Sequence, residues 1–180
     1  MTFPIKDTQR EVDEFVSELS CRVKKPYPSG KVKIKNKHVA DLLLNAFANG
    51  GNAELTAVAQ YINHHLTISQ KDVSNLELCI ALVEMKHLEM VGDLIESLGG
   101  NPKYLRTNRQ YWTGGNVDYG KTLCQKLSLD IYAETEAIAG YRELLRQIKI
   151  PQVRKVINRI IEDEMLHRKL FQAAYKKHCK

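Results

Sequence analysis

Glutamate and histidine recur in this chain at a spacing that suits the binding of metal ions. Glu54 is followed thirty residues later by Glu84 and, three further on, by His87; Glu134, Glu164 and His167 repeat the pattern eighty residues downstream. On a helix, residues three apart share a face, so each Glu-x-x-His pair presents a carboxylate and an imidazole in one direction. Two such pairs and two further glutamates supply four carboxylates and two imidazoles, enough to enclose a pair of cations inside a helical bundle. Chance placement of the glutamates and histidines gives roughly 0.4 Glu-x-x-His pairs, whereas two occur here, each preceded by a glutamate at the same distance. Ala53, Ala57 and Tyr61 also recur as Ala133, Ala137 and Tyr141. The repetition implies two helical hairpins related by an internal pseudo-two-fold axis, with a site on that axis taking half its ligands from each.

Periodic apolar stripes mark the helices that must carry these residues. The first is expected from about His38 to Leu66, along Val39, Leu43, Phe47, Gly51, Glu54, Val58, Tyr61 and His65. The second runs from Ser69, as N-cap, to Leu98, with Gly99 and Gly100 as a stop signal. The third covers about Gly120 to Ile148, and the fourth begins at Pro151, a favourable first-turn residue. All six candidate ligands fall on stripes otherwise built from Leu, Val, Ile and Phe. Burying unpaired carboxylates costs several kcal/mol each or shifts their pKa, so four in one core call for compensating positive charge. Two divalent cations supply it.

Other polar residues fail the same test. Glu136 lies on the far side of its helix from Glu134, and Glu162 and Asp163 are expected on the solvated side of Glu164. His64 and His65 stand about 15 Å along the helix from Glu54, too far to share its ions, and they are left out with His38 and His178. Tyr61 and Tyr141, each two turns beyond a glutamate on the same stripe, are candidates either to hydrogen-bond the ligands or to pack in the core.

Composition narrows the classes. With 43% hydrophobic residues the chain can build one well-packed domain, and no apolar run of membrane-spanning length occurs. No secretory signal is visible after Met1, so a cytoplasmic location is expected. The four cysteines, Cys21, Cys79, Cys124 and Cys179, form no Cys-x-x-Cys pair and are read as reduced thiols, Cys79 and Cys124 in or near helix packing. Residues 1–37 are expected to form an arm, with an amphipathic helix along Val12, Phe15, Val16 and Leu19 and a lysine-rich stretch, docked on the bundle of residues 38–180 or on a neighbouring subunit. The net charge of +6 sits largely in this arm and in Lys176, Lys177 and Lys180, which reads as solvated tails, so nucleic acid is not the expected partner. Gly99 to Tyr119 is too irregular for a helix and long enough to run the length of a bundle, making the second and third helices parallel.

The chain resembles the ferritin-like di-metal carboxylate proteins over about residues 38–175. Glu84-Met85-Lys86-His87 is similar to the second-helix motif of bacterioferritins, and Leu88-Glu89-Met90-Val91-Gly92 to manganese catalases of the spore-coat type. Asp130-Ile131-Tyr132-Ala133-Glu134 resembles the third-helix signature and Asp163-Glu164-Met165-Leu166-His167 the fourth. The resemblance implies an all-α, ferritin-like four-helix bundle with a long crossover between its second and third helices. It also implies two Fe or Mn ions per chain. Glu54 and Glu134 would be terminal ligands, Glu84 and Glu164 bridging ones, and His87 and His167 would each cap one ion. Ala137 stands where a rubrerythrin carries a further glutamate, and no rubredoxin-like cysteine module is present to deliver electrons. Met85 matches the haem-ligating methionine of bacterioferritins; packing is the commoner role of such a residue, and haem is not expected.

Three functions fit this reading. The first is an oxidoreductase acting on H2O2 or O2, catalase-like with manganese or peroxidase-like with iron, in the manner of manganese catalase or rubrerythrin. The second is a ferroxidase or iron-binding ferritin, and the third a coat or scaffold protein that keeps the bundle without the chemistry. Only thirteen residues follow His167 and continue its helix. Without a fifth helix a compact homo-oligomer, with a dimer favoured, is expected rather than a 24-subunit shell.

Overall fold

The computed structural model describes residues 5–105 and 110–179. Six α-helices are found among them: α1 (Ile5–Glu18), α2 (Lys37–Ala48), α3 (Glu54–Thr67), α4 (Lys71–Ser97), α5 (Leu123–Gln147) and α6 (Pro151–His178). No strand is found among the described residues; an isolated bridge joins Leu105 to Tyr111. The fold is the all-α, ferritin-like bundle.

The expected first helix is two helices. Asn49-Gly50-Gly51-Asn52 interrupts it, and Gly50 adopts φ +96°, which a side chain rarely tolerates. The Thr56 hydroxyl donates to the Gly50 carbonyl and the Thr56 amide to that of Ala53, so α3 restarts with Glu54 in its first turn. An apolar stripe that continues across the gap concealed the break. The Ser69 cap is also absent: α4 begins at Lys71, after Gln70, with no side-chain cap. The stop after Leu98 is made as expected, with Gly99 at φ +88° and the Gly100 amide donating to the Ile95 carbonyl. α6 opens on Pro151. Thr122 and Gln125 form a capping box at the start of α5.

Cross-helix bonds fix the directions. Tyr61 meets Glu134 and Tyr141 meets Glu54, so α3 and α5 are antiparallel. His87 meets Asp163 while His167 meets Glu84, so α4 and α6 are antiparallel too. Since short turns reverse the chain within each of the hairpins α3–α4 and α5–α6, α4 and α5 run parallel, joined by the long crossover. That crossover is tied down by Trp112 Nε1 donating to Thr56 Oγ1 at 2.8 Å.

Two apolar clusters fill the bundle. One gathers Leu43, Phe47, Leu94, Ile95, Leu144, Ile157 and Ile160, and the other Val16, Tyr61, Ile80, Leu127 and Phe171. On α4, α5 and α6 the candidate ligands lie between the two. Val12, Phe15 and Leu19 pack against the second cluster, in which Val16 is buried, so α1 uses the face expected of it.

The cysteines are not reduced thiols. Cys21 is bonded to Cys79 and Cys124 to Cys179, across 58 and 55 residues of sequence. Only the fold brings these partners together, which is why spacing did not reveal them. Cys21–Cys79 ties the arm to α4, and Cys124–Cys179 ties the start of α5 to the end of α6. Chain-entropy reasoning gives up to about 4 kcal/mol for closing a loop of that length. Replacing Cys21 and Cys79 by serine is therefore expected to lower the unfolding free energy by about 2 to 4 kcal/mol in urea titration. An unchanged midpoint would mean that this bond does not constrain the protein.

Candidate metal centre

Each element delivers its residue for a local reason. Glu54 occupies the first turn of α3, where a carboxylate is favoured by the helix dipole. Glu84 with His87 on α4, and Glu164 with His167 on α6, use the three-residue step that puts two side chains on one face. Glu134 faces them from α5. All six are at most 3% exposed.

The structure brings all six together. Glu54, Glu84, His87 and Glu164 offer donor atoms within 4.8 Å of one another, as do Glu84, Glu134, Glu164 and His167. Glu84 and Glu164 thus belong to both groups. His87 Nδ1 lies 3.1 Å from Glu84 Oε2, 3.2 Å from Glu164 Oε1 and 3.7 Å from Glu54 Oε2. His167 Nδ1 lies 2.7 Å from Glu84 Oε1, 3.2 Å from Glu164 Oε2 and 3.7 Å from Glu134 Oε1. Each imidazole therefore faces one oxygen of both shared carboxylates and one of its own outer glutamate. The pseudo-two-fold symmetry of the sequence is present in the atoms.

Tyr61 and Tyr141 hydrogen-bond rather than merely pack. Tyr61 donates to Glu134 Oε1 at 2.6 Å, and Tyr141 donates to Glu54 Oε1. Each tyrosine so restrains the outer glutamate of the other hairpin. Burial raises both phenol pKa values, and the adjacent carboxylates raise them further, so both remain donors.

Asp163 is the main correction. Expected in solvent, it is fully buried and accepts from the Val23 amide at 2.8 Å and from the Tyr27 hydroxyl at 2.6 Å. It also faces Arg159 Nη1 at 2.8 Å and His87 Nε2 at 3.1 Å. The arm folds over this side of α6, and that removes Asp163 from water. Arg159 holds the arm by donating to the carbonyls of Val23 and Lys25 and lies 4.4 Å above the Tyr27 ring. His167 Nε2 lies 3.0 Å from the carbonyl of Cys21, another arm residue. Glu162 does sit toward solvent, paired with Lys25. Met85 is half exposed on α4. His64 is excluded from the six as expected, but it is buried against Glu77 and Asp130.

The electrostatics are those of charge crowded away from water. Burial pushes the carboxyls of Glu54 and Glu134 well up, and the charges of Glu84 and Glu164 push them further. Burial also opposes ionising Glu84, yet His87 and His167 outweigh it and hold that carboxyl below its usual range. Against its own burial, His167 is raised to about 9 by Glu84 and Glu164, and His87 is raised as well. Glu54 Oε2, Glu84 Oε1 and Glu134 Oε2 are buried without a hydrogen-bond partner. Each histidine turns Nε2 to an outward acceptor, so Nδ1 faces the carboxylates, as a proton donor to them in the metal-free protein and as the atom a cation would bind on replacing that proton. Oxygen-rich donors with one imidazole per group suit two divalent transition ions.

Known proteins share the fold and part of the sequence. The Rubrerythrin family model matches residues 126–179. A solved manganese catalase from Anabaena superposes with a TM-score of 0.79 at 26% identity, over 86% of this chain and 78% of that one. The chain belongs to the ferritin-like superfamily. A probable manganese catalase of Clostridium acetobutylicum is 26% identical over 168 residues, 82% of this chain and 74% of its own length. The bacterioferritin of Desulfovibrio desulfuricans is 31% identical over 121 residues, 63% of each chain, and its solved structure superposes with a TM-score of 0.64.

Two outcomes follow for the metal-free protein. Asp163→Ala leaves Arg159 buried without its carboxylate, so stability is expected to fall by about 3 to 5 kcal/mol in denaturant titration; a loss below about 1 kcal/mol would show the pair to be solvated. The pH dependence has a definite sign. A histidine raised in the fold stabilises fully below its unfolded value and loses that contribution as pH rises through the folded value. For His167 the window runs from 6.5 to about 9. Glu54 and Glu134, raised, act in the same direction, whereas Glu84, lowered, contributes above its unfolded value and loses that at acid pH. Melting temperature is therefore expected to fall between pH 6.5 and 9; a rise over that interval would contradict the assignment.

Proposed function

We propose that Glu54, Glu84, His87, Glu134, Glu164 and His167 hold two manganese or iron ions and that the protein removes H2O2. The carrying observation is the double sharing of Glu84 and Glu164 between two histidine-bearing groups at 2.7 to 3.2 Å from each Nδ1. Two ions bound there would supply two-electron redox chemistry on peroxide or O2 without an organic cofactor. In this reading Glu84 and Glu164 would be shared by both ions, Glu54 and Glu134 would each hold one, and His87 and His167 would each cap one. Asp163 and the Cys21 carbonyl fix the imidazole tautomers, while Tyr61 and Tyr141 orient the terminal carboxylates.

Substrate size supports a small oxidant. The recess leading to the carboxylates is walled by Gly51, Asn52, Ala53, Ala57, Ala133 and Ala137, and its water-accessible space is about 10 Å³. That is room for roughly one water, and it favours H2O2 or O2 over an organic substrate. Ala137, which lines this recess, stands at the position of the additional rubrerythrin glutamate, so the small side chain leaves the approach open. Similarity to the manganese catalase of Anabaena and the probable manganese catalase of C. acetobutylicum favours disproportionation of H2O2 as the reaction. The bacterioferritin relative keeps a ferroxidase as the second reading.

We further propose a homo-oligomer, with a dimer favoured, and a cytoplasmic location. No described helix is long and apolar enough to cross a membrane. The two cystines set a condition on the location, because a reducing cytoplasm opens most disulfides.

The test is direct. Protein from its native host is expected to contain at least about two Mn or Fe per chain and to evolve O2 from H2O2, with Glu84→Ala folded but reduced at least about 100-fold. A folded, metal-containing protein without turnover would point to a scaffold role. A mass near that of a 24-subunit shell, with iron cores forming faster than peroxide is consumed, would favour the ferritin reading.

A further inference from the structure

A second buried cluster lies beside the first. His64 on α3, Glu77 on α4 and Asp130 on α5 are each 0% exposed, and one donor atom from each lies within 4.8 Å of the others. Asp130 precedes Glu134 by one helical turn and Glu77 precedes Glu84 by two, so the clusters are neighbours along the bundle. None of the three residues belongs to the six.

The imidazole of His64 repeats the arrangement of His87 and His167. Its Nε2 lies 3.0 Å from the carbonyl oxygens of Asp118 and Tyr119. Both are acceptors only, so Nε2 carries a proton and Nδ1 is the ring atom turned toward the carboxylates. Nδ1 lies 2.9 Å from Asp130 Oδ1, yet it has no hydrogen-bond partner. A ring nitrogen and a carboxylate oxygen held that close, with no hydrogen bond formed between them, is the geometry of two ligands side by side on one cation. Both oxygens of Glu77 and Oδ2 of Asp130 are likewise buried without a partner. Asp130 Oδ1 is oriented by Gln60 Nε2 at 2.9 Å, and Gln60 Oε1 accepts from the Asp118 amide. The adjacent buried cation, Lys126, donates to Thr67 Oγ1 and offsets only one of the two carboxylate charges.

We propose that His64, Glu77 and Asp130 form a third, separate site for a divalent first-row ion such as Mn2+, Fe2+ or Zn2+. An imidazole with two carboxylates suits these ions better than Mg2+ or Ca2+, which prefer all-oxygen sites. The Asp118–Tyr119 segment of the crossover closes over the histidine, so the ion staples crossover, α3, α4 and α5 in the manner of a closed structural site. In its absence Glu77 keeps a proton, because burial and then the Asp130 charge push its carboxyl up.

Counting ions in the full chain tests this. Protein stripped with chelator, reloaded with Mn2+ or Zn2+ and desalted is expected to retain about three ions per chain, falling to about two in Glu77→Gln and in His64→Asn and to about one in Glu84→Gln/Glu164→Gln. Loading is also expected to raise the melting temperature of the Glu84→Gln/Glu164→Gln protein, whose remaining ion is the one proposed here. Wild-type protein and Glu77→Gln binding equal numbers of ions, with Glu77→Gln melting no lower when loaded, would overturn the proposal and leave a carboxyl pair sharing a proton. Failure of the paired centre reads differently, as equal ion content in wild type and the Glu84→Gln/Glu164→Gln protein.

Discussion

Four glutamates buried in one layer of an apolar bundle repel one another, and water is not there to screen them. The surrounding structure serves to hold that layer together. Two histidines bring positive or coordinating nitrogen into it, two tyrosines donate to the outer carboxylates, and the apolar clusters on either side keep the helices from spreading. Without a balancing charge the layer is held by protons, as the raised carboxyls of Glu54 and Glu134 show. Two divalent ions, as proposed, would replace those protons with charge that all six residues can share.

The pseudo-symmetry of the core does not extend outward. Asp163 precedes Glu164 and faces His87, but the corresponding position before Glu84 is Val83, buried in the apolar cluster. His167 turns instead to the backbone carbonyl of Cys21. Both arrangements depend on the arm: Val23 and Tyr27 hold Asp163, and the Cys21–Cys79 bond anchors the residue that holds His167. The arm is therefore a wall of the site, and losing it would free both imidazoles.

What was legible in the sequence follows from this division. The six residues and the two tyrosines could be read because helical geometry converts their spacing directly into a shared face. The four bundle helices were visible for the same reason, except at Asn49–Asn52, where a continuous stripe spans a break fixed by backbone conformation. Asp163, the cystines and His64 were not legible. Their surroundings come from segments far away in sequence, over 130 residues for the contacts of Asp163 with Val23 and Tyr27. No periodicity encodes a partner at that range. The Asp163-Glu164 doublet held the one local hint: an acid next to a ligand on a helix is well placed to face the opposite histidine.

The paired-ion claim is tested most directly by anomalous diffraction from crystals of the metal-loaded protein, collected at the Mn and Fe absorption edges. The account predicts two peaks about 3.5 to 4 Å apart, both within bonding distance of Glu84 and Glu164, one beside His87 and the other beside His167. A single peak between the histidines, or none in a protein that retains its fold, would contradict it.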